Sequence, residues 1–252
     1  MLIQHLPLLS SKRIILASAS PRRAELLRGL GLEIEIVPST FAENLDKSAY
    51  SNPGEYAAET AMCKAIDVTR NMLQLSVTLH VAMAVGEGDV AVGEGDEAVG
   101  ADVTVVGGKR PDLVIGADTV VELHRKILEK PEDEKDAFNM LSNLSGCEHK
   151  VYTGVSLVLS PLIPDPKIGD PPVVRTFWEE TKVEFANIED VAINAYVNSG
   201  EPMDKAGAYG IQGIGGTFVK SIFGCFFNVM GFPIHRFAAE IDQLVKAGAF
   251  AD

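Results

Sequence analysis

Cysteine, tryptophan and positive charge are all scarce in this chain. Its 252 residues include three cysteines and one tryptophan, and 22 Lys and Arg stand against 35 Asp and Glu, a formal net charge of −13. Cys63, Cys147 and Cys225 are far apart and odd in number, which argues against a disulfide framework or a zinc site and fits thiols kept reduced. The acidic balance argues against a protein that grips nucleic acid through a basic surface. Any polyanionic ligand must be held locally, by a few clustered Lys and Arg or by a metal. No run reaches the ~20 apolar residues of a membrane helix, and the opening MLIQHLPLLSSKR is too short and interrupted for a signal peptide. The expectation is a cytoplasmic protein with no membrane and no nucleic-acid partner. A P-loop, G-x-x-x-x-G-K-[ST], is also missing.

What is present is 46% hydrophobic residues, enough to bury a core as one large domain or two lobes. Alternating strand and helix patterns run along most of the chain. Residues 14–17 read as an apolar strand and 21–29 as a helix, with Ser20 as cap and Pro21 at the first helical position. EIEIVPS alternates like a strand. The stretch from Asn52 opens as a helix with Pro53 at its first position and Glu55 completing a capping box. DLVIGADTVVEL and KILEKP read as strands, and EDEKDAFNMLSNLSG as an amphipathic helix ended by Gly146. KVYTGVSLVLS and VVRTFWEETKVEFA read as antiparallel strands joined by a proline-rich loop over 160–172. A helix stopped by Gly200 follows. GTFVKSI and CFFNVM pattern as a hairpin, and PIHRFAAEIDQLVKAG as a closing helix. This mixture gives an α/β or α+β fold with a mixed sheet.

One segment is foreign to the pattern. AVGEGDVAVGEGDEAVGADV repeats a seven-residue unit whose glycines exclude a coiled coil, so 77–110 reads as a flexible low-complexity insertion in a single domain spanning 1–252. Its GEGDVA and GEGDEA fit the loose dinucleotide pattern G-x-G-x-x-A. Glu87, Asp89, Glu94 and Asp96 would set carboxylates beside the phosphate, and no helix pattern follows, so the match is discounted.

Several polar residues sit against their local pattern. Arg22 and Arg23 occupy the first turn of a helix, where the partial positive charge of the dipole favours acids. They make sense there if an anion binds. Asp118 ends an apolar run, either as a turn cap or as a base or metal ligand at a strand terminus. Lys64 lies at the rim of a helix's apolar face, where it either snorkels to solvent or meets a ligand. Lys130 stands between a strand and a helix start. The loop EPMDKAGAYGIQG, with Lys205 and Gln212, has no periodicity for its length and reads as a ligand loop.

In order, ASASPRRAELL, TAMCKA, VIGADTVV, ILEKP, a spaced ML, LSG and VYTGV, GEPMDKAGAYGIQG and NVMGFPI resemble the Maf family of nucleoside triphosphate pyrophosphatases, over nearly all the chain except 77–110. It is also similar to the Maf-like domain that some eukaryotes fuse to a methyltransferase-like domain. The resemblance implies a mixed, strongly curved sheet in two lobes around a cleft, an inosine triphosphatase-like architecture. It implies hydrolysis of a nucleoside triphosphate to monophosphate and pyrophosphate with a divalent cation, Mg²⁺ or Mn²⁺, and a homodimer. Asp118 matches the family's proton acceptor, Lys64 and Lys130 its two lysines, and Arg22 its phosphate-contacting arginine. Glu43 matches an acidic residue near the metal, making Glu43 and Asp118 the metal candidates. Ser18 and Ser20, with the amides of the first helical turn and Arg22, would cradle the triphosphate. Thr119 and Gln212 match positions associated with base choice, and GADTVV with KAGAYGIQG resembles the group acting on dTTP and UTP. A nucleotide-binding module with vestigial catalysis and a 7-methyl-GTP-specific enzyme are the alternatives.

Overall fold

The structure, a computed structural model, describes residues 1–85, 110–159 and 173–250, with only the backbone of 73–85. After a single helical turn, α1 (Leu6–Leu9), three apolar residues form β1 (Ile14–Leu16), and the chain turns through Ser18–Ser20 into α2 (Pro21–Gly29). Pro21 sits at the first helical position, but Ser20 makes no side-chain cap bond; its own N–H donates to Ser18 Oγ at 3.3 Å instead. β2 (Ile34–Ile36) then pairs parallel to β1. Helix α3 (Pro53–Val85) opens with the Gly54 N–H on Asn52 Oδ1 at 2.6 Å, while Glu55 accepts from the Ser51 hydroxyl rather than completing a capping box. It runs past residue 77, where the low-complexity segment was expected to begin; the rest of that segment and the loop over 160–172 lie outside the described residues.

Four further strands and a short one complete the sheet: β3 (Leu113–Leu123), β4 (Lys126–Leu128), β5 (Glu148–Leu159), β6 (Val173–Phe185) and β7 (Val219–Phe223). The order is β2-β1-β3-β5-β6-β7, with β4 paired to β3. β1 pairs parallel to both neighbours and every other pair is antiparallel, so the mixed sheet expected from the sequence is present. Helices α4 (Glu134–Leu144), α5 (Asp190–Asn198) and α7 (Ile234–Lys246) flank it. CFFNVM departs from the expected hairpin, because its core is a short helix, α6 (Phe226–Val229). Gly224 at φ +127° breaks the strand, and the Cys225 N–H and carbonyl both turn to the Thr181 hydroxyl.

Two apolar cores share the long strands. One gathers Leu16, Leu27, Ile115, Leu157, Phe237 and Ile241 between α2, α7 and the first half of β3. The other gathers Val121, Leu141, Val151, Phe185 and Tyr196 under α4 and α5. Ala117 belongs to the first core and Val121 to the second, so the residues between them lie where the two cores meet. β1 covers the edge of β3 at Leu113–Ile115 and β4 covers it at Val121–Leu123, which leaves the edge between them without a strand partner among the described residues. Ligands of open α/β sheets bind at such a place, beyond the carboxyl end of a parallel strand.

Helix α3 lies against β3 and β5 closely enough that its contact residues there have no room to spare. A Cβ on Gly154 would stand 2.2 Å from Ala58 N and 2.3 Å from Ala57 C, and one on Gly116 would stand 2.0 Å from Ala61 O. Each obstacle is helix backbone, which cannot rotate aside. Gly154→Ala is therefore expected to destabilise the fold by about 3 kcal/mol or more, at the upper end of overpacking. Urea unfolding measures this; an unchanged midpoint would show that α3 backs away from the sheet at no cost.

Candidate active site

The uncovered edge of β3 opens into a cleft of about 310 Å³. Ser18, Ser20, Arg22, Glu43, Lys64, Asp118, Thr119, Lys130, Lys205 and Gln212 all line it, so every residue singled out by sequence reaches one cavity. Alternation along β3 decides which way its residues face. Val114 and Val120 pack on the α3 side of the sheet, and Asp118, four residues from the first and two from the second, faces that side too.

Asp118 is not at a strand end; it stands in the middle of β3, paired to Gly154 of β5. Its Oδ1 accepts from Lys64 Nζ of α3 at 2.8 Å, its only hydrogen bond among the described residues, leaving Oδ2 available. Lys64 Nζ also lies 3.0 Å from Glu43 Oε2. The lysine does not snorkel: its side chain is 10% exposed, and the ammonium is held between the two carboxylates. Burial raises the Asp118 pKa above the ordinary carboxylate value, against the opposing charges of Lys64 and Arg23. A carboxylate moved upward in this way is a better proton acceptor once it is ionised.

The Lys64 ammonium fills the place between Glu43 Oε2 and Asp118 Oδ1, so a divalent ion would draw on the other carboxylate oxygens, Asp118 Oδ2 and Glu43 Oε1. No third His, Cys, Asp or Glu joins them among the described residues. Two carboxylates, completed by substrate phosphates and water, are a donor set that Mg²⁺ ordinarily takes. The residues present therefore fit a divalent ion shared with a triphosphate.

On the other face of the strand, Arg23, which the sequence marked only as a cation awaiting an anion, is bonded to the protein instead. Its guanidinium donates to Gly231 O at 3.0 Å, Ser18 Oγ at 3.1 Å, Ala117 O at 3.0 Å and Thr119 Oγ1 at 3.0 Å. Four of its five N–H groups are thus committed to the protein. The bond to Ala117 O satisfies a carbonyl that faces the uncovered strand edge. The two adjacent arginines divide their work: Arg23 braces the floor of the cleft, and Arg22 reaches across it to Asp204 Oδ2 at 3.2 Å.

Thr119 is also held. Thr153 donates its one proton to Asn228 O at 3.0 Å, so the 3.0 Å bond between the two threonines must use the Thr119 proton. With Arg23 also bonded to it, Thr119 can offer a ligand an acceptor only. Ser18 is buried and accepts from Arg23 and the Ser20 N–H. Lys205 Nζ bonds the Glu201 carbonyl and, at 2.6 Å, Asp204 Oδ1. Lys130 and Gln212 are exposed at the cleft and make no hydrogen bond or ion pair among the described residues.

A buried carboxylate beside an ammonium, in a cleft also lined by Arg22, Lys130 and Lys205, suits a phosphorylated ligand. The profile of the family described as Maf-like protein matches residues 13–244. The chain belongs to the Maf-like family. It is 43% identical over 233 residues to the human "Probable bifunctional dTTP/UTP pyrophosphatase/methyltransferase protein", a match covering 92% of this chain and 32% of that protein. The chain thus spans about a third of the human relative. It is 40% identical over 232 residues to a Clostridium perfringens "dTTP/UTP pyrophosphatase", covering 92% of this chain and 96% of that one. A Schizosaccharomyces pombe "dTTP/UTP pyrophosphatase" is 38% identical over 244 residues, with 95% and 87% covered.

For a Maf-like chain, the braced Arg23 was the least visible feature. The pair SPRR signals that arginine matters at this turn, but which of two neighbours turns inward depends on contacts with Ala117 and Gly231, 94 and 208 residues away.

Proposed function

We propose that this Maf-like protein hydrolyses nucleoside triphosphates, dTTP and UTP above others, to the monophosphate and pyrophosphate. The observation that carries the reading is the buried Asp118, bonded through one oxygen to Lys64 and open at the other to a cleft lined by Arg22, Lys130 and Lys205. The relatives' printed activity supports it.

In this reading Asp118 takes a proton from the water that attacks the α-phosphorus. The bond from that phosphorus to the α,β-bridging oxygen breaks, and pyrophosphate leaves with the electron pair. Lys64 holds the Asp118 carboxylate in place, while Lys130 and Arg22 set positive charge against the phosphates. Ser18, Ser20 and the amides opening α2 receive the remaining phosphate oxygens. Arg22 exchanges its bond to Asp204 for the anion, which offsets its repulsion from the helix dipole. Glu43 and Asp118 would hold a divalent ion, which supplies further positive charge to the phosphates when bound. Gln212 has both an amide donor and a carbonyl acceptor, so it can pair with the imide N–H and one carbonyl of thymine or uracil. Thr119, whose proton is committed to Thr153, cannot donate to the second carbonyl, so base reading rests on Gln212.

The reading extends to a cytoplasmic homodimer. Three unpaired cysteines support a reducing compartment. Phe223, 81% exposed, with Phe226 and Phe227 beside it, supports a covered surface.

A panel of triphosphates with Mg²⁺ or Mn²⁺, read by pyrophosphate release, tests the proposal. The expected order of kcat/KM is dTTP and UTP first, CTP close behind, and ATP and GTP poor, because unpaired polar groups in the site reject the wrong base. A profile led by 7-methyl-GTP, or one unchanged by Gln212→Glu, contradicts it.

A further inference from the structure

We infer that Glu201 is a positioning residue for base selection, because its carboxylate suspends the loop that carries Gln212. The inference rests on the reading of Gln212 given above. Glu201 does not line the cleft, and nothing in the proposed chemistry uses it. Its Oε2 accepts the Ile214 N–H at 3.0 Å, and its Oε1 accepts the Gly215 N–H at 3.3 Å and the Tyr196 hydroxyl at 2.9 Å. The Tyr196 oxygen in turn accepts the Gly210 N–H at 3.2 Å. Backbone donors on both sides of Gln212 therefore converge on one carboxylate and the phenol bonded to it.

This support substitutes for secondary structure. Residues 209–213 belong to no strand or helix, and the Gln212 side chain has no partner among the described residues. Its placement depends on the backbone alone. The carboxylate is pressed directly onto the residue after Gln212: a Cβ on Gly213 would stand 2.3 Å from Glu201 Oε1. Bonds from N–H groups to an ionised carboxylate are also the stronger kind, which suits a loop with few other anchors. Tyr196 itself is fixed in the second core against Phe218, at a ring separation of 5.1 Å, so the loop is tied through Glu201 to rigid structure.

Glu201→Gln tests this, because it keeps the size of the side chain but turns one acceptor into a donor facing other donors. The ratio of kcat/KM for dTTP to that for ATP is expected to fall about tenfold, the effect of a hydrogen-bonding site losing its alignment. Competitive inhibition by inorganic tripolyphosphate, which has no base, is expected to stay within about twofold, since the phosphate side keeps its groups. Tyr196→Phe, which keeps the core packing, is expected to lower the same ratio by a smaller factor, and it serves if Glu201→Gln does not fold. Gln212→Ala separates the two claims. If it lowers the ratio and neither Glu201→Gln nor Tyr196→Phe does, the inference fails while base reading by Gln212 stands. If Gln212→Ala leaves the ratio unchanged, both fail. If Glu201→Gln weakens tripolyphosphate and dTTP equally, Glu201 supports the whole cleft and the inference is overturned.

Discussion

Asp118→Asn is expected to lower turnover of dTTP by about 10²–10⁴-fold, the usual loss on removing a general base. Nucleotide binding should be retained or tightened. Asn keeps the size and can still meet Lys64, but it removes a negative charge that repels phosphate. Burial has raised the carboxylate's pKa, so the group is placed to accept a proton rather than merely to fill the strand. Its alternative role, as a turn cap, is already excluded by its position inside β3. Steady-state rates with a parallel binding titration separate the two effects. A variant keeping more than about a tenth of the wild-type rate would remove Asp118 from the base's role.

Lys64→Ala is expected to cost both stability and rate. The ammonium contacts Asp118 Oδ1 at 2.8 Å, with the two side chains 10% and 11% exposed. Removing one partner leaves the other charge buried and poorly compensated, which typically costs about 3–5 kcal/mol. Arg23 still opposes the remaining charge, so the lower end is expected. The pH profile should move as well. Lys64 now lowers the Asp118 pKa against burial; without it that pKa rises further, and the acid limb of the rate profile shifts to higher pH. Urea unfolding and a pH–rate series check both parts. Wild-type stability together with an unmoved acid limb would be the behaviour of a lysine that only snorkels.

Much of this site was legible because local chemistry contradicted local pattern. A carboxylate inside LVIGADTVV has few ordinary reasons to be there, and a glycine-rich loop after Gly200 has no reason to be long. The strands and helices followed from period and caps for the same reason: those signals are local. The missed features depend on distant partners. Lys64 looks like a rim lysine until Glu43, from the loop before α3, closes over it. Asp118 looks like the end of a strand because a carboxylate follows the apolar run LVIGA, yet β5 continues the pairing through Gly154 and beyond. CFFNVM is apolar enough for a strand, but the Thr181 hydroxyl of β6 takes both backbone polar groups of Cys225, where a ladder would begin. Thr119 is tied to base choice by the family resemblance alone, and its proton is assigned only by Thr153 and Asn228.

Hydrolysis of dTTP in ¹⁸O-labelled water, with mass spectrometry of the products, tests the central claim most directly. If Asp118 activates water against the α-phosphorus, one labelled oxygen appears in dTMP and the pyrophosphate carries none. Label in pyrophosphate, or release of orthophosphate with dTDP, would place the attack at another phosphorus and contradict the account.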